Sequence, residues 1–371
     1  MDDERHAGLT AAVADLLGRP VTALDDVVRE PLEYDAFLAH RSVTRIGGLA
    51  RLADGAALAW TLVEKRTEGP ALAVPYLVAN GARELAAYRS GLLDALPAGI
   101  RAPHALGTLR DASGGVTLWI EEVRHLGPRP LDRPALLDAA EALGSLAGRW
   151  LGRPPVDPWL FTGWIDRHAQ PEAAADGTRI LAAPGPAARA RLGARIPAAA
   201  RLLAEQDRVR GVLEALPRTL CHHDATGANV FRDAGGIVLI DWESLGPGPV
   251  GADLASLLCS SVRRGDASVA DVAAVLDVAV DRYARGIRSA GSAVPTDVVR
   301  LGLDASMALR WKLAADLVAA LDSGSAPRRG SLPDEPGEVA MAELVALLDL
   351  VLEAAERARL TAAGTPSYDA G

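Results

Sequence analysis

The sequence predicts an α+β fold of two lobes, a small one built on an antiparallel sheet and a larger, α-rich one. Three observations carry this. The 371 residues exceed what one small core organises. Short apolar runs with turn signals concentrate between Ser42 and Ile120. From residue 134 onward the apolar spacing lengthens to that of amphipathic helices.

In order along the chain, residues 3–17 read as a helix with Leu9, Val13, Leu16 and Leu17 on one stripe. Val43, Ile46, Leu49 and Leu52 then mark a strand, interrupted by Gly47-Gly48. Asp54-Gly55 is a hairpin signal, and Ala57 to Val63 forms the returning strand, running into Lys65. Gly47 and Gly48 admit two readings: a place where backbone amides approach phosphates, or a bulge in a twisted sheet. Residues 80–96 read as a helix with Leu85, Tyr88, Leu92 and Leu96 inward and Glu84 beside that stripe. Val116 to Ile120 is a compact strand entering Glu121-Glu122-Val123. A helix over 134–151 precedes the aromatic residues Trp150, Trp159, Phe161 and Trp164. These either stack on a ring in a cleft or pack between helices, and packing is preferred because aromatics dominate cores. Helices broken by loops are expected over 171–200, then helices over 252–264, 268–290, 297–322 and 338–360, with a loop at 324–337 and a frayed tail from 365. Arg310, Trp311 and Asp316 fall on a late helix, where packing and substrate contact are not separable by sequence.

Composition narrows the function classes. With 49% hydrophobic and 23% charged residues, the chain is of ordinary globular type. Net charge is 39 − 48 = −9 without a basic tract, which argues against a nucleic-acid partner. An acidic surface would favour a cationic small molecule, although bulk charge is weak evidence for that. Cys221 and Cys259 have no metal-ligand or disulfide spacing, as expected in a reducing cytoplasm. No apolar run approaches the ~20 residues that span a bilayer, and the acidic start lacks a signal-peptide core, so no membrane association and a cytoplasmic location are expected. No Gly-x-Gly-x-x-Gly directly follows a predicted strand and opens a helix, which disfavours a dehydrogenase. Lys65 and Lys312 are the only lysines, and Asn80 and Asn229 the only asparagines.

The densest signal lies at 222–243. After His222-His223-Asp224-Ala225-Thr226-Gly227-Ala228-Asn229 come two short apolar runs around Asp233-Ala234-Gly235-Gly236, a β-hairpin pattern. Pairing Arg232 with Ile237 opposes Asn229 to Ile240, with Asp241 next. Opposed Cβ atoms lie ~5 Å apart, so an amide and a carboxylate meet beside Asp224. Such oxygen ligands suit Mg²⁺ on substrate phosphates, and a third carboxylate can accept a proton. This is the outline of a phosphoryl-transfer site. Taken singly, Asp224 could be a helix cap, Asn229 a turn residue and Asp241 a strand end; together in this order they make coincidence a poor account.

His222, Asp224 and Asn229 at this spacing, followed by an apolar strand ending in Asp241-Trp242-Glu243, resemble the aminoglycoside phosphotransferase and choline kinase family of the protein-kinase-like fold. The resemblance implies that Asp224 is the catalytic base and that His222 braces its loop. Asn229 and Asp241 would hold Mg²⁺ on ATP (or GTP), and Asp253 would tie the loop down through its backbone. It further implies that Lys65 touches the nucleotide phosphates, that Glu84 positions Lys65, that the lobes are 1–120 and 121–371, and that the backbone of the joining stretch at Glu121, Glu122 and Val123 meets adenine. Family members often carry Gly after the His and a second His or Pro in the loop, where this chain has His223, Ala225 and Thr226. The expected activity is transfer of the γ-phosphoryl group to a small-molecule hydroxyl, such as that of an aminoglycoside, aminocyclitol or sugar. The alternatives are a kinase of Ser or Thr in a ribosomally made peptide, and a non-catalytic nucleotide-binding protein.

Overall fold

The computed structural model describes residues 2–32, 41–68 and 80–364. Its first part is a five-stranded antiparallel sheet ordered β1-β2-β3-β6-β5, from β1 (Val21–Pro31), β2 (Arg41–Leu52), β3 (Ala57–Thr67), β5 (Ala105–Arg110) and β6 (Val116–Glu121). Gly55 turns the β2–β3 hairpin at φ +83°, a conformation glycine adopts without steric cost. Strand alternation then sorts β3 by face. Trp60, Leu62 and Glu64 face helix α1 (Asp2–Leu17), where Trp60 and Leu62 pack with Leu9, Val13 and Trp119. Buried Glu64 accepts hydrogen bonds from Trp119 Nε1 at 2.9 Å, Arg29 at 3.1 Å and Arg5 Nε at 3.3 Å, which answers the cost of burying its charge. Lys65, one residue on, faces the opposite side.

Sequence reasoning did not anticipate β1. Its inward and outward positions do not alternate, and much of it is exposed as an edge strand, so no period-2 signal exists to find. A register shift between Asp25 and Val28 makes a bulge opposite Gly47 and Gly48. A Cβ on Gly48 would lie 2.7 Å from the Asp25 carbonyl oxygen, so the bulge accounts for that glycine.

Helix α2 (Asn80–Arg89) is shorter than the expected 80–96. Gly91 sits at φ +76°, and Ser90 Oγ accepts from Leu92 N at 3.1 Å, which turns the chain out of the helix. Leu92 and Leu96 still pack on the larger core. The next segment, β4 (Ile100–Arg101), pairs in parallel with β9 (Gly236–Leu239), which pairs antiparallel with β8 (Val230–Asp233). A piece of the first 120 residues is thus built into the second lobe.

That lobe is helical. Helices α3 (Arg133–Arg149), α4 (Trp164–His168), α5 (Pro171–Ala182), α6 (Pro186–Leu192), α7 (Arg195–Ala204) and α8 (Gln206–Ala215) precede β7 (Arg218–Cys221). After the β8–β9 hairpin, β10 (Gly246–Pro249) pairs with β7. Helices α9 (Ala252–Ala255) and α10 (Ser261–Arg264) are joined by a π-helical turn at Ser256–Ser260. Then follow α11 (Val269–Ser289), α12 (Thr296–Ala308), α13 (Lys312–Ser323) and α14 (Gly337–Gly364). The expected single helix over 297–322 is therefore two, broken at 309–311. The loop at 324–337 is present, and the tail from 365 lies outside the described residues. No described helix is long and apolar enough to cross a membrane.

Candidate active site

The β8–β9 hairpin has the predicted register, with Arg232 opposite Ile237 and Val230 opposite Leu239. Ile240 N donates to the Asn229 carbonyl at 3.0 Å, so Asn229 faces Ile240 and Asp241 comes next. Asn229 Nδ2 donates to Asp224 Oδ2 at 2.9 Å and to the Asp224 carbonyl at 2.8 Å. Both amide hydrogens are spent on Asp224, which leaves the Asn229 side-chain oxygen for another partner.

Asp224 is half-buried, and the desolvation pushes its carboxyl up to about 7, with the nearby Asp241 charge adding to the rise. Arg167, Arg264 and the Asn229 amide pull the other way. His222 is held neutral: burial lowers its imidazole to about 4. Its Nε2 donates to the Ile240 carbonyl at 3.0 Å, and its Nδ1 accepts from Asp224 N at 3.3 Å. One neutral tautomer satisfies both contacts. Asp253 accepts from His222 N at 2.9 Å and His223 N at 2.8 Å. His223 and Asp241 take φ of 64° and 65°, a left-handed backbone that is costly for residues with a Cβ and concentrates at functional sites. Further clamps fix the loop: Gly227 N donates to Ser261 Oγ at 2.7 Å and Ala228 N to Asp266 at 3.0 Å.

From the sheet, Lys65 Nζ donates to Glu84 at 2.6 Å and to Asp241 at 3.1 Å, all three side chains being buried. Carboxylate oxygens of Glu84, Asp241 and Glu243 lie within 4.8 Å of one another. Sequence reasoning gave Glu243 no role, although the second acid of Asp-Trp-Glu, two residues after Asp241, was the available signal. Oxygen donors on Asn229, Asp241 and Glu243 fit a hard cation such as Mg²⁺. The other metal-capable trio, Cys221, His223 and Asp253, fits less well because both Asp253 oxygens already hold backbone N–H groups.

The remaining expected residues are placed as follows. Glu121 ends β6 and is gripped by Arg101 at 2.8 and 2.9 Å; Glu122 accepts from Arg45 at 2.6 Å. Val123 follows where the chain leaves the sheet. Gly47 and Gly48 lie inside β2, between β1 and β3, with Gly47 opposite Thr61 on the face that carries Lys65. Their backbone thus serves the sheet ladder instead of an open phosphate-binding loop. Trp164 is buried and stacks on His223 at 5.2 Å, consistent with packing.

Residues 78–287, more than half of the chain, match the model of the phosphotransferase enzyme family (APH). The chain belongs to that family. This phosphotransferase also shares its fold with solved kinases. One is amicoumacin kinase hAmiN in complex with AMP-PNP, Ca²⁺ and Ami, with TM-score 0.51 and 14% identity, over 95% of this chain and 96% of that one. Another is choline kinase from Cryptosporidium parvum Iowa II, with TM-score 0.50 and 10% identity, over 88% and 90%. No curated protein matches the phosphotransferase in sequence. The family and the kinase-like, bilobal α+β architecture expected from the sequence are thereby established.

Proposed function

We propose that this phosphotransferase moves the γ-phosphoryl group of ATP, or GTP, to a hydroxyl of a small molecule. The observation that carries the reading is the half-buried Asp224 carboxylate, oriented by Asn229 and set beside the Lys65–Asp241 pair. In the reaction the acceptor oxygen forms a bond to the γ-phosphorus while the bond to the bridging oxygen breaks, and the nucleoside diphosphate leaves with that electron pair. Asp224 takes the hydroxyl proton. Its raised proton affinity, near 7, suits a general base working at neutral pH, because such a group is about half ionised there and a stronger acceptor than an ordinary carboxylate. Asn229 keeps the carboxylate aimed, and neutral His222 holds the loop without adding charge beside the base.

Lys65, held by Glu84, would meet the nucleotide phosphates on leaving Asp241. Asn229 and Asp241, with Glu243, would hold Mg²⁺, which when bound supplies electrostatic stabilisation to the phosphate oxygens. Positioning and charge compensation account for most of the expected acceleration. The backbone at Glu121, Glu122 and Val123 would meet the base, and Gly47 would contribute chiefly by leaving the sheet face bare.

Asp224→Asn tests the reading. Transfer should fall by about 10²–10⁴-fold, while Mg·ATP binding, read by calorimetry, persists. Near-wild-type turnover in that variant would remove the base assignment.

A further inference from the structure

The helical lobe contains a cavity of about 280 Å³, near the lower limit for small-molecule sites. Arg167, His168, Arg263, Arg310, Trp311 and Lys312 contribute to its wall, and no Asp or Glu is among the described residues that line it. On a protein of net charge −9, this is a local inversion of sign. Asp316, at the end of the Arg263 and Lys312 side chains, pairs with both. Arg310 has no such relief: its Nε and Nη2 are buried and hydrogen-bond to nothing among the described residues. The buried indole Nε1 of Trp311 is likewise a donor without an acceptor. Buried guanidinium nitrogens without acceptors are costly. The planar guanidinium fork is best completed by two oxygens of a carboxylate or phosphate.

The cavity adjoins the catalytic loop. His223 stacks on Trp164, and Trp164 meets the His168 ring at 5.2 Å, so one aromatic links loop and cavity wall. Cys259 and Ser260, also in the wall, immediately precede Ser261, whose Oγ accepts from Gly227 N. Arg167 and Arg310 both lie within electrostatic reach of Asp224. The Lys65 cluster meets the loop elsewhere, at Asp241, where the His222 ring packs on Trp242.

We propose that the acceptor bears an oxyanion, a carboxylate or phosphate ester, seated against Arg310 with its hydroxyl presented to Asp224. This rests on the phosphotransfer reading above, and it replaces the cationic acceptor that bulk charge favours. An Arg310 carrying the substrate's anion fixes the acceptor while the γ-phosphoryl group approaches from the Lys65 side.

Matched probes test it: glycerate and glycerol 3-phosphate against glycerol, gluconate against sorbitol, and choline as the cation. Transfer from Mg·ATP and calorimetric binding are both measured on the full chain. The acids should be used with kcat/KM at least tenfold above their neutral partners, and Arg310→Gln should raise the acid's KM tenfold or more. Arg167→Gln, on an exposed side chain, should raise it in the same direction and serves if Arg310→Gln fails to fold. Preference for glycerol, sorbitol or choline overturns the proposal, as does a rise in the nucleotide's KM in place of the acceptor's. Wild-type protein that binds the acids but never forms ADP supports the anion site while overturning the phosphotransfer reading. Failure to bind any acid, with transfer to neutral alcohols intact, does the reverse.

Discussion

Asp253 shows how one buried side chain sustains the catalytic loop. Burial raises its carboxyl to about 6, against the pull of the His222 and His223 N–H groups. Asp253→Ala would leave those two donors without acceptors in a closed interior. Each such donor costs about 1–3 kcal/mol, so a loss of about 2–6 kcal/mol is expected in chemical denaturation, with Asp253→Asn intermediate. An unchanged midpoint would show that the loop holds its strained His223 without this tie. The residue-scale contacts differ in how readable they were. Asn229 faces Ile240, one residue before Asp241, across a two-strand hairpin, and pairing rules fix such neighbours over a dozen residues. Arg310 was visible only as a charge on a late helix, because its distance from Asp224 depends on how several helices pack.

Between elements, α3 and α11 form a close joint. A Cβ on Gly144 would sit 2.0 Å from the Tyr283 carbonyl oxygen, and one on Gly286 would sit 2.1 Å from that of Glu141. The two backbones approach closely because neither carries a side chain there. Although Ala favours helix over Gly by ~1 kcal/mol, Gly286→Ala should destabilise by about 1–3 kcal/mol through overpacking. A denaturation midpoint at or above wild type would contradict this. Long periodic helices such as α3, α11 and α14 were legible because their apolar spacing is local. The break at 309–311 was not, since Leu309, Arg310 and Trp311 include no proline or glycine to announce it. Edge strand β1 was missed for a related reason: it buries too little to impose a pattern.

Across the whole molecule, Arg101 is a clamp between lobes. From β4 it reaches Glu121 at the end of the sheet and Asp233 at the end of β8, at 2.7–2.9 Å. Burial works to raise both carboxyls, but the guanidinium prevails and holds them below their ordinary values. A carboxylate depressed in the folded state stabilises above its unfolded pKa, and that contribution disappears as pH falls through the folded one. With Arg101 a third exposed, solvent screening limits the effect to about 1 kcal/mol. Arg101→Ala should therefore lower the denaturation midpoint at pH 7, and its difference from wild type should shrink below about pH 4. A difference that grew on acidification would contradict the assignment.

The amino-acid order alone determined the family resemblance, carried by the motif at 222–243, the helical spacing of the larger lobe, and the placing of Asp224, Asn229 and Asp241 at one end of a hairpin, since each follows from motif spacing, periodicity or pairing within a short stretch of chain. Only the tertiary structure decided that Lys65, expected beside Glu84, also reaches Asp241, that Glu243 joins them, that the bulge is the reading that holds at Gly48, and that arginines line a cavity linked to the catalytic loop. Those relations join residues tens to hundreds of positions apart, and their distances are set by packed helices and sheet register, which no local pattern encodes.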